Sequence, residues 1–300
     1  MDPTTHVDGT RYEPVTEAFR TPGPIALVLG LGAGAACVRA SDRSDTRVRI
    51  APGDPAEAAD VRAAERAEIT FADGTLSIRA ARTGRPDPSP GFLTVLVELP
   101  VGSSLHGDTG SAHLDAAGRL GECRFTTGAG DIRLDEAGPV RLRTLSGDLL
   151  LGRVTGSAQI TTGRGRVRVT EVLGAARIRN AHGATRLGRI TGALKVSAAG
   201  GDVAVDLAYA AVDISTSTGN VRLHEAVSGP VVLRTSSGDL EAAFSPDAGV
   251  SLDLRTDSGE LTDILRRPPA RDRSRPDVKT RARTGSGNVL VRNARPRSAR

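Results

Sequence analysis

One short phrase governs how this chain can fold. TGAGDI ends at Ile132, LSGDL at Leu149, TGRGRV at Val167 and AAGGDV at Val203, and STGNV, SSGDL, DSGEL and GSGNV follow, ending at Val221, Leu240, Leu261 and Val289. The last Gly of each phrase is a register mark: Gly110, Gly130, Gly147, Gly165, Gly183, Gly201, Gly219, Gly238, Gly259 and Gly287. Successive marks lie 20, 17, 18, 18, 18, 18, 19, 21 and 28 residues apart. A near-constant step of this size means one supersecondary unit repeated and stacked, each unit burying its apolar face against the next.

The columns of the repeat say what that unit is. Two residues after the marks stand Ile132, Leu149, Val167, Thr185, Val203, Val221, Leu240, Leu261 and Val289; two further on stand Leu134, Leu151, Val169, Leu187, Val205 and Leu223. Five residues before the marks stand Phe125, Leu142, Ile160, Ile178, Val196, Ile214, Leu233 and Leu254, with polar residues between the apolar ones. Period-2 alternation over four to six residues predicts short strands with one face inward. A second Gly at 138, 156, 174, 192 and 229 gives each unit two strands and two turns, positive φ being the expected use of these glycines. The prediction is an all-β fold, a parallel β-solenoid of about 18-residue coils with two main sheets and an N-terminal β cap. Nine or ten coils at about 4.8 Å each would make a rod of about 45 Å. Composition agrees: aromatic residues are 2% of the chain and Trp is absent, as a thin aliphatic core requires.

Two polar columns flank the turns. Three residues before the marks stand Thr127, Thr144, Thr162, Asn180, Ala198, Thr216, Thr235, Thr256 and Thr284, a column expected to form a hydroxyl and amide ladder along the axis. One residue after them stand Asp131, Asp148, Asp202, Asn220, Asp239, Glu260 and Asn288, interrupted by Arg166 and Ala184. Turn-forming side chains explain this second column. A row of calcium sites is the sharper alternative, but the calcium β-roll needs G-G-x-G-x-D every nine residues, a spacing absent here.

At this point the chain resembles a known family. The phrases FRTPGPIALVLGLGAGAACVRASDRSDTRVRIAPGDPAEAADVRAAE, GRLGECRFTTGAGDIRLDEAGPVRLRTLSGDL and ARTGSGNVLVRNA are similar to those of the bacterial "putative adhesin" family of domains of unknown function, common in actinobacteria, over residues 19–294. The resemblance implies a β-solenoid, no established catalytic activity and no functional residues to carry over. Arg166 and Ala184, in place of the acidic turn residue, and an insertion over 262–279 depart from the pattern.

The domain plan follows. Residues 1–18 are expected to be a disordered leader, 19–102 the N-terminal cap and first coils, and 103–265 the repeats. Residues 266–279 form a Pro- and Arg-rich loop, 280–293 a last coil and 294–300 a basic tail. The apolar run at 25–38 is too short to span a bilayer and lacks the basic start of a secretory signal, so a membrane span is not expected. It reads as a pair of cap strands; GAAC, ending at Cys37, leaves a lipid anchor as the alternative. Residues 54–68 predict one or two helical turns or a loop.

Chemistry is sparse. Cys123 and Cys37 read as small buried hydrophobes, and no CxxC or Cys–His pair appears. The His residues form no HxH or HExxH pattern, and Ser111, His113 and Asp115 are explained by repetition rather than as a nucleophile set. No phosphate loop or cofactor motif is present. Formal net charge is +5. On one face Arg141, Arg143, Arg177, Arg179 and Lys195 stack in neighbouring coils; on the other stand Arg133, Arg166, Arg168, Arg186 and Arg222. The expected function is a non-enzymatic, cytoplasmic interaction scaffold presenting its faces or ends to a protein partner or to itself. A polyanion-binding protein using the Arg stripes, or an exported surface adhesin, are the alternatives. The turn glycines 130, 147, 165, 183, 201, 219, 238, 259 and 287 are expected to be structural.

Overall fold

Alternation becomes pairing in a computed structural model that describes residues 13–80, 91–246, 248–266 and 277–295. The N-terminal part runs β1 (Val15–Arg20), β2 (Ala26–Ser41), β3 (Asp45–Pro52), α1 (Ala58–Glu65), β4 (Ala67–Ala72), β5 (Thr75–Ala80), β6 (Phe92–Pro100) and β7 (Ser104–Arg119). Two strands per coil follow: β8 (Cys123–Ala129) with β9 (Ile132–Ala137), β10 (Val140–Ser146) with β11 (Leu149–Val154), and β12 (Ala158–Arg164) with β13 (Val167–Val172). Then come β14 (Ala176–His182) with β15 (Thr185–Ile190), β16 (Leu194–Gly200) with β17 (Val203–Ala208), β18 (Val212–Thr218) with β19 (Val221–Ala226), and β20 (Val231–Ser237) with β21 (Leu240–Phe244). The chain closes with β22 (Gly249–Ser258), β23 (Leu261–Asp263), β24 (Asp277–Ser286) and β25 (Val289–Asn293). The strands stack in parallel, equivalent residues side by side: Leu142 lies between Phe125 and Ile160, and Leu151 between Leu134 and Val169.

One face, sheet A, runs β5, β2, β7, β8 and then every even strand to β20, followed by β24 and β22. The other, sheet B, runs β6, β2, β7, β9 and the odd strands to β21, followed by β25 and β23. The 16-residue strands β2 and β7 serve both faces without a break, so the two faces join into one sheet there. The run at 25–38 is thus one long strand rather than two. Gly110 correspondingly stands out of column. Its neighbour in the next coil is Gly128, and the residue facing Gly130 is Ala112, 18 residues earlier, which removes the step of 20.

Side chains from both faces fill a narrow core. Cys123, Phe125, Ile132, Leu134, Val167 and Val169 are all buried. Where the core holds a ring, the neighbouring coil gives up a side chain: a Cβ on Gly107 would lie 2.3 Å from Phe125. In the coil of β14 and β15, two polar residues enter together, the Asn180 amide donating to the buried Thr185 hydroxyl at 3.2 Å.

The ends are built differently. At the N-terminal end β4 pairs antiparallel with β5, β3 with β6 and β1 with β3, and the rings of Phe19 and Phe71 meet at 5.1 Å. Residues 15–18, expected in the leader, therefore belong to β1; residues 1–12 lie outside the described part. The 54–68 segment contains α1, and Asp60 holds the chain around it by accepting from the N–H groups of Asp54 (2.9 Å) and Phe92 (2.7 Å).

At the other end the coil at 280–293, expected to be last, is last in sequence but not in space. Its strands β24 and β25 lie between β20/β21 on one side and β22/β23 on the other. The reason is in the columns. Asp263 occupies the inward position that Leu223, Ala242 and Val291 fill in other coils, and a sandwiched coil would bury that carboxylate. Outermost, Asp263 is exposed, while the smaller Ala282 fits between Leu233 and Leu254. The N-terminal end repeats the arrangement, with β2 between β5/β6 and β7. Of the expected loop and basic tail, residues 267–276 and 296–300 lie outside the described part.

Candidate functional site

The turn between the faces consumes the polar columns. The nine marker glycines from Gly130 to Gly287 have φ between +112° and +149°, in the region that disfavours L side chains. A Cβ on Gly147 would also lie 2.1 Å from the Gly130 carbonyl oxygen of the adjacent coil. Of the mid-coil glycines only Gly229 has positive φ (+82°); at Gly174 the requirement is instead the Gly156 carbonyl oxygen, 2.6 Å from where a Cβ would stand.

The continuous axial ladder comes from the acidic and amide column; the Thr column adds side-chain bonds to the adjacent coil at Asn180, Thr235, Thr256 and Thr284 (2.9–3.2 Å) rather than hydroxyls bonded to one another. Asp131 Oδ1 accepts from the Asp148 N–H (2.8 Å) and Asp148 Oδ1 from the Arg166 N–H (2.7 Å). After the break at Arg166 and Ala184, Asp202 accepts from Asn220, Asn220 from Asp239, Asp239 from Asn288 and Asn288 from Glu260, at 2.8–2.9 Å. The Thr hydroxyls mostly close their own turns: Thr144 donates to the Ser146 carbonyl, Thr216 to Thr218 and Thr235 to Ser237, each at 3.1 Å. Arg166, the departure from the pattern, donates its guanidinium to Asp148 Oδ2 at 2.7 and 3.0 Å. The backbone and guanidinium donors of Arg166 together hold the Asp148 carboxyl below the usual carboxylate range.

Nothing in this geometry gathers reactive groups. Among the described residues no three His, Cys, Asp or Glu side chains converge on a point that could hold a metal ion. His113 Nδ1 accepts from the Asp131 N–H at 3.1 Å and so heads the ladder. Burial, and then the charge of Glu122, push the Cys123 thiol up to about 12, which makes it inert at neutral pH. Cys37, expected to be buried, is half-buried and points outward on sheet B, where its neighbours are Leu96 and Asp115.

What the stack does assemble is charge. On sheet A the outward positions of β8, β10, β12, β14 and β16 are Arg124, Thr126 and Gly128; Arg141, Arg143 and Leu145; Gln159, Thr161 and Gly163; Arg177, Arg179 and Ala181; and Lys195, Ser197 and Ala199. Six are cations and none is a carboxylate. Pairing occurs only at the margins of this patch, Arg124 with Glu122 (2.6 Å) and Lys195 with Asp213 (3.2 Å). Inside it Arg141 donates to the Gln159 amide oxygen at 3.1 Å, and Arg143, Arg177 and Arg179 have no ion pair or hydrogen bond to a described residue. At about 4.8 Å per strand, Arg141 and Arg177 are about 10 Å apart, as are Arg143 and Arg179. The structure thus brings together the five cations of the first stripe and adds Arg124. The signal for Arg124 lay in the sequence, because it precedes Phe125 as Arg141 precedes Leu142.

The second stripe differs in kind. Around Arg133 on sheet B stand Asp115, Asp131 and Asp135; Glu171 takes Arg153 at 3.4 Å and Arg189 at 3.8 Å, and Glu241 takes Arg292 at 2.7 Å and Arg222 at 3.8 Å. Arg168 and Arg186 lack such a partner among the described residues, but they stand beside the Asp148–Arg166 pair. Opposite charges opposing one another across parallel strands stabilise a sheet face; sheet B follows that rule at Asp115–Arg133, Arg153–Glu171–Arg189 and Arg222–Glu241 but not where Arg168 opposes Arg186.

A model of the protein family described as Toastrack DUF4097 matches residues 44–294. No curated protein matches the chain. Among solved structures, a putative lipid binding protein from Parabacteroides distasonis is similar over 92% of this chain and 96% of its own, at 16% identity and TM-score 0.39. A putative adhesin from Bacteroides fragilis is similar over 94% and 98%, at 10% identity and TM-score 0.36. A putative cell adhesion protein from Clostridium sporogenes is similar over 94% and 100%, at 10% identity and TM-score 0.21.

Proposed function

The chain belongs to the Toastrack DUF4097 family, and from that premise we propose that it is a non-enzymatic interaction scaffold, adhesin-like in architecture, that meets its partner on the sheet A face. The observation that carries this reading is the patch from β8 to β16, which holds six outward cations and no carboxylate. A solvated face has no need of such a one-sign array, which repels itself when nothing is bound. An acidic partner removes the repulsion. The first candidate is a protein with an acidic surface, and an acidic polymer is the second. Self-association through the rod ends is the third, resting on the outer edge of β22 and β23, which no described strand pairs.

We also place the chain in the actinobacterial branch of the family, on the wording of its motifs, and in the cytoplasm. Cleavage before Cys37 would remove most of β2, which lies inside the stack; this supports an uncleaved chain over a lipid-anchored one. Cell fractionation tests the placement, and recovery in a wall or membrane fraction would favour the surface-adhesin alternative.

The decisive experiment for the scaffold reading compares three immobilised proteins in native lysate. They are the wild type, the sheet A variant Arg141→Ser/Arg143→Ser/Arg177→Ser/Arg179→Ser, and a sheet B control Arg133→Ser/Arg168→Ser/Arg186→Ser. The expected result is a stoichiometric partner kept by the wild type and the control and lost by the sheet A variant. A partner kept by all three, or none kept by any, would refute the use of this face.

A further inference from the structure

A shallow trough of about 560 Å³ runs along the axis beside the cationic face, from β12 to β20. One wall is the column of Gln159, Arg177, Lys195, Asp213 and Val232, in which Lys195 and Asp213 pair at 3.2 Å and Arg177 is the cation left open; the other is the turn column of Ser157, Ala175, Ala193 and Ala211. The trough crosses successive coils in the same direction as the cation column, so whatever lies in it lies parallel to the rod. We infer that this trough and the adjoining Arg lattice bind a linear polyphosphate chain lengthwise. The inference rests on the scaffold reading and deepens its second candidate, an acidic polymer at that face, by naming its chemistry.

The walls exclude the other linear polyanions in turn. The trough lining contains no aromatic side chain, so the bases of a single-stranded nucleic acid would find no stacking platform. The wall opposite the cations is mostly Ala, with little to hydrogen-bond the hydroxyls of a sugar or polyol backbone. A nucleic-acid duplex is too wide to enter, and a bilayer surface too flat. A bare phosphate chain needs neither stacking nor hydroxyl recognition. It needs guanidinium forks, which match phosphate oxygens two at a time; Arg177 in the trough, and Arg179 and Arg143 on the adjoining face, have no ion pair or hydrogen bond to a described residue. Asp213, paired with Lys195 and Arg234 at 3.2 Å each, stands at the β18 position of the column and closes the cationic run in that direction. At the other end Asp108 and His106 of β7 close it. The bound length is therefore set by five coils, about 20 Å.

The test uses the full chain and a fluorescent inorganic polyphosphate, followed by anisotropy at 50 and 200 mM NaCl. Binding by the wild type should weaken by roughly tenfold or more between the two salt concentrations, because counterion release governs such contacts. Arg177→Ser/Arg179→Ser should lose about tenfold at low salt, and the sheet B triple variant should stay within about twofold of wild type. All substituted residues point outward, and a thermal melt of each variant verifies that the fold is kept. Equal binding by wild type and the sheet A variant overturns the site. Tighter binding of poly-dT, or of vesicles containing phosphatidylserine, overturns the ligand. If polyphosphate does not bind at 50 mM NaCl while the lysate partner is still lost from the sheet A variant, the polyphosphate inference falls and the scaffold reading stands.

Discussion

At the scale of single residues the turn tolerates one side chain only, hydrogen. Gly147 combines φ +147° with a neighbouring carbonyl oxygen 2.1 Å from the position of a Cβ, and that oxygen belongs to backbone held in the next coil. Gly147→Ala should therefore cost about 3 kcal/mol or more, from conformational strain and displaced backbone together. Gly23 has nothing within 4 Å of its Cβ position, and Gly23→Ala should stay within about 0.5 kcal/mol. Urea denaturation of both variants checks the contrast, and similar losses would show that the marker column is not under steric control. The marker and aliphatic columns were legible from spacing alone, since turns and alternation are local properties of the chain. Cys37 was not: an apolar sequence context does not say which side of a strand faces the core, and the half-buried thiol points outward.

Among the elements, the acidic and amide column ties coil to coil, and Asp148 shows how. Its Oδ1 takes the Arg166 backbone N–H and its Oδ2 the Arg166 guanidinium. Because the folded carboxyl titrates below its unfolded value, its contribution is fully present above about pH 4 and is lost as pH falls through the depressed value. Asp148→Asn keeps an oxygen for the backbone N–H and removes the charge. Stability measured from pH 6 to pH 2 should consequently fall less steeply in Asp148→Asn than in the wild type. Parallel curves would mean that the backbone and guanidinium bonds from Arg166 to the Asp148 carboxylate together contribute nothing to the pH dependence. The column itself was visible in the sequence, but not its use. Expectation gave the axial ladder to the Thr column, which supplies part of it: Asn180, Thr235, Thr256 and Thr284 donate to carbonyls of the adjacent coil, whereas Thr144, Thr162 and Thr216 bond carbonyls two residues on within their own turns. The acidic and amide side chains, one residue beyond the marker Gly, project along the axis.

The whole molecule is a rod of twelve coils among its described residues, with β2 near one chain end and β24 and β25 near the other each tucked beneath a coil from further inside the sequence. β24 and β25 cannot peel away without β22 and β23 being lifted first. A protease site engineered within residues 267–276 and then cut should leave the C-terminal fragment bound through gel filtration and release it only in denaturant. Separation under native conditions would refute the sandwiched order. The columns already contained part of this, since Asp263 at a core position bars its coil from the interior. The tandem order of the repeats nonetheless favoured simple sequential stacking.

Period and alternation are short-range properties, so the chain alone dictates strands, turns, coil length and an aliphatic core. The stacking order of the end coils, and which charge meets which, are relations between residues far apart in the chain. The fold decides them. Arg166 finds Asp148 one coil back and Lys195 finds Asp213 one coil on, while Arg143, Arg177 and Arg179 face coils that offer no acid. Only the register of the stacked strands could separate the stripe interleaved with acids from the one left open.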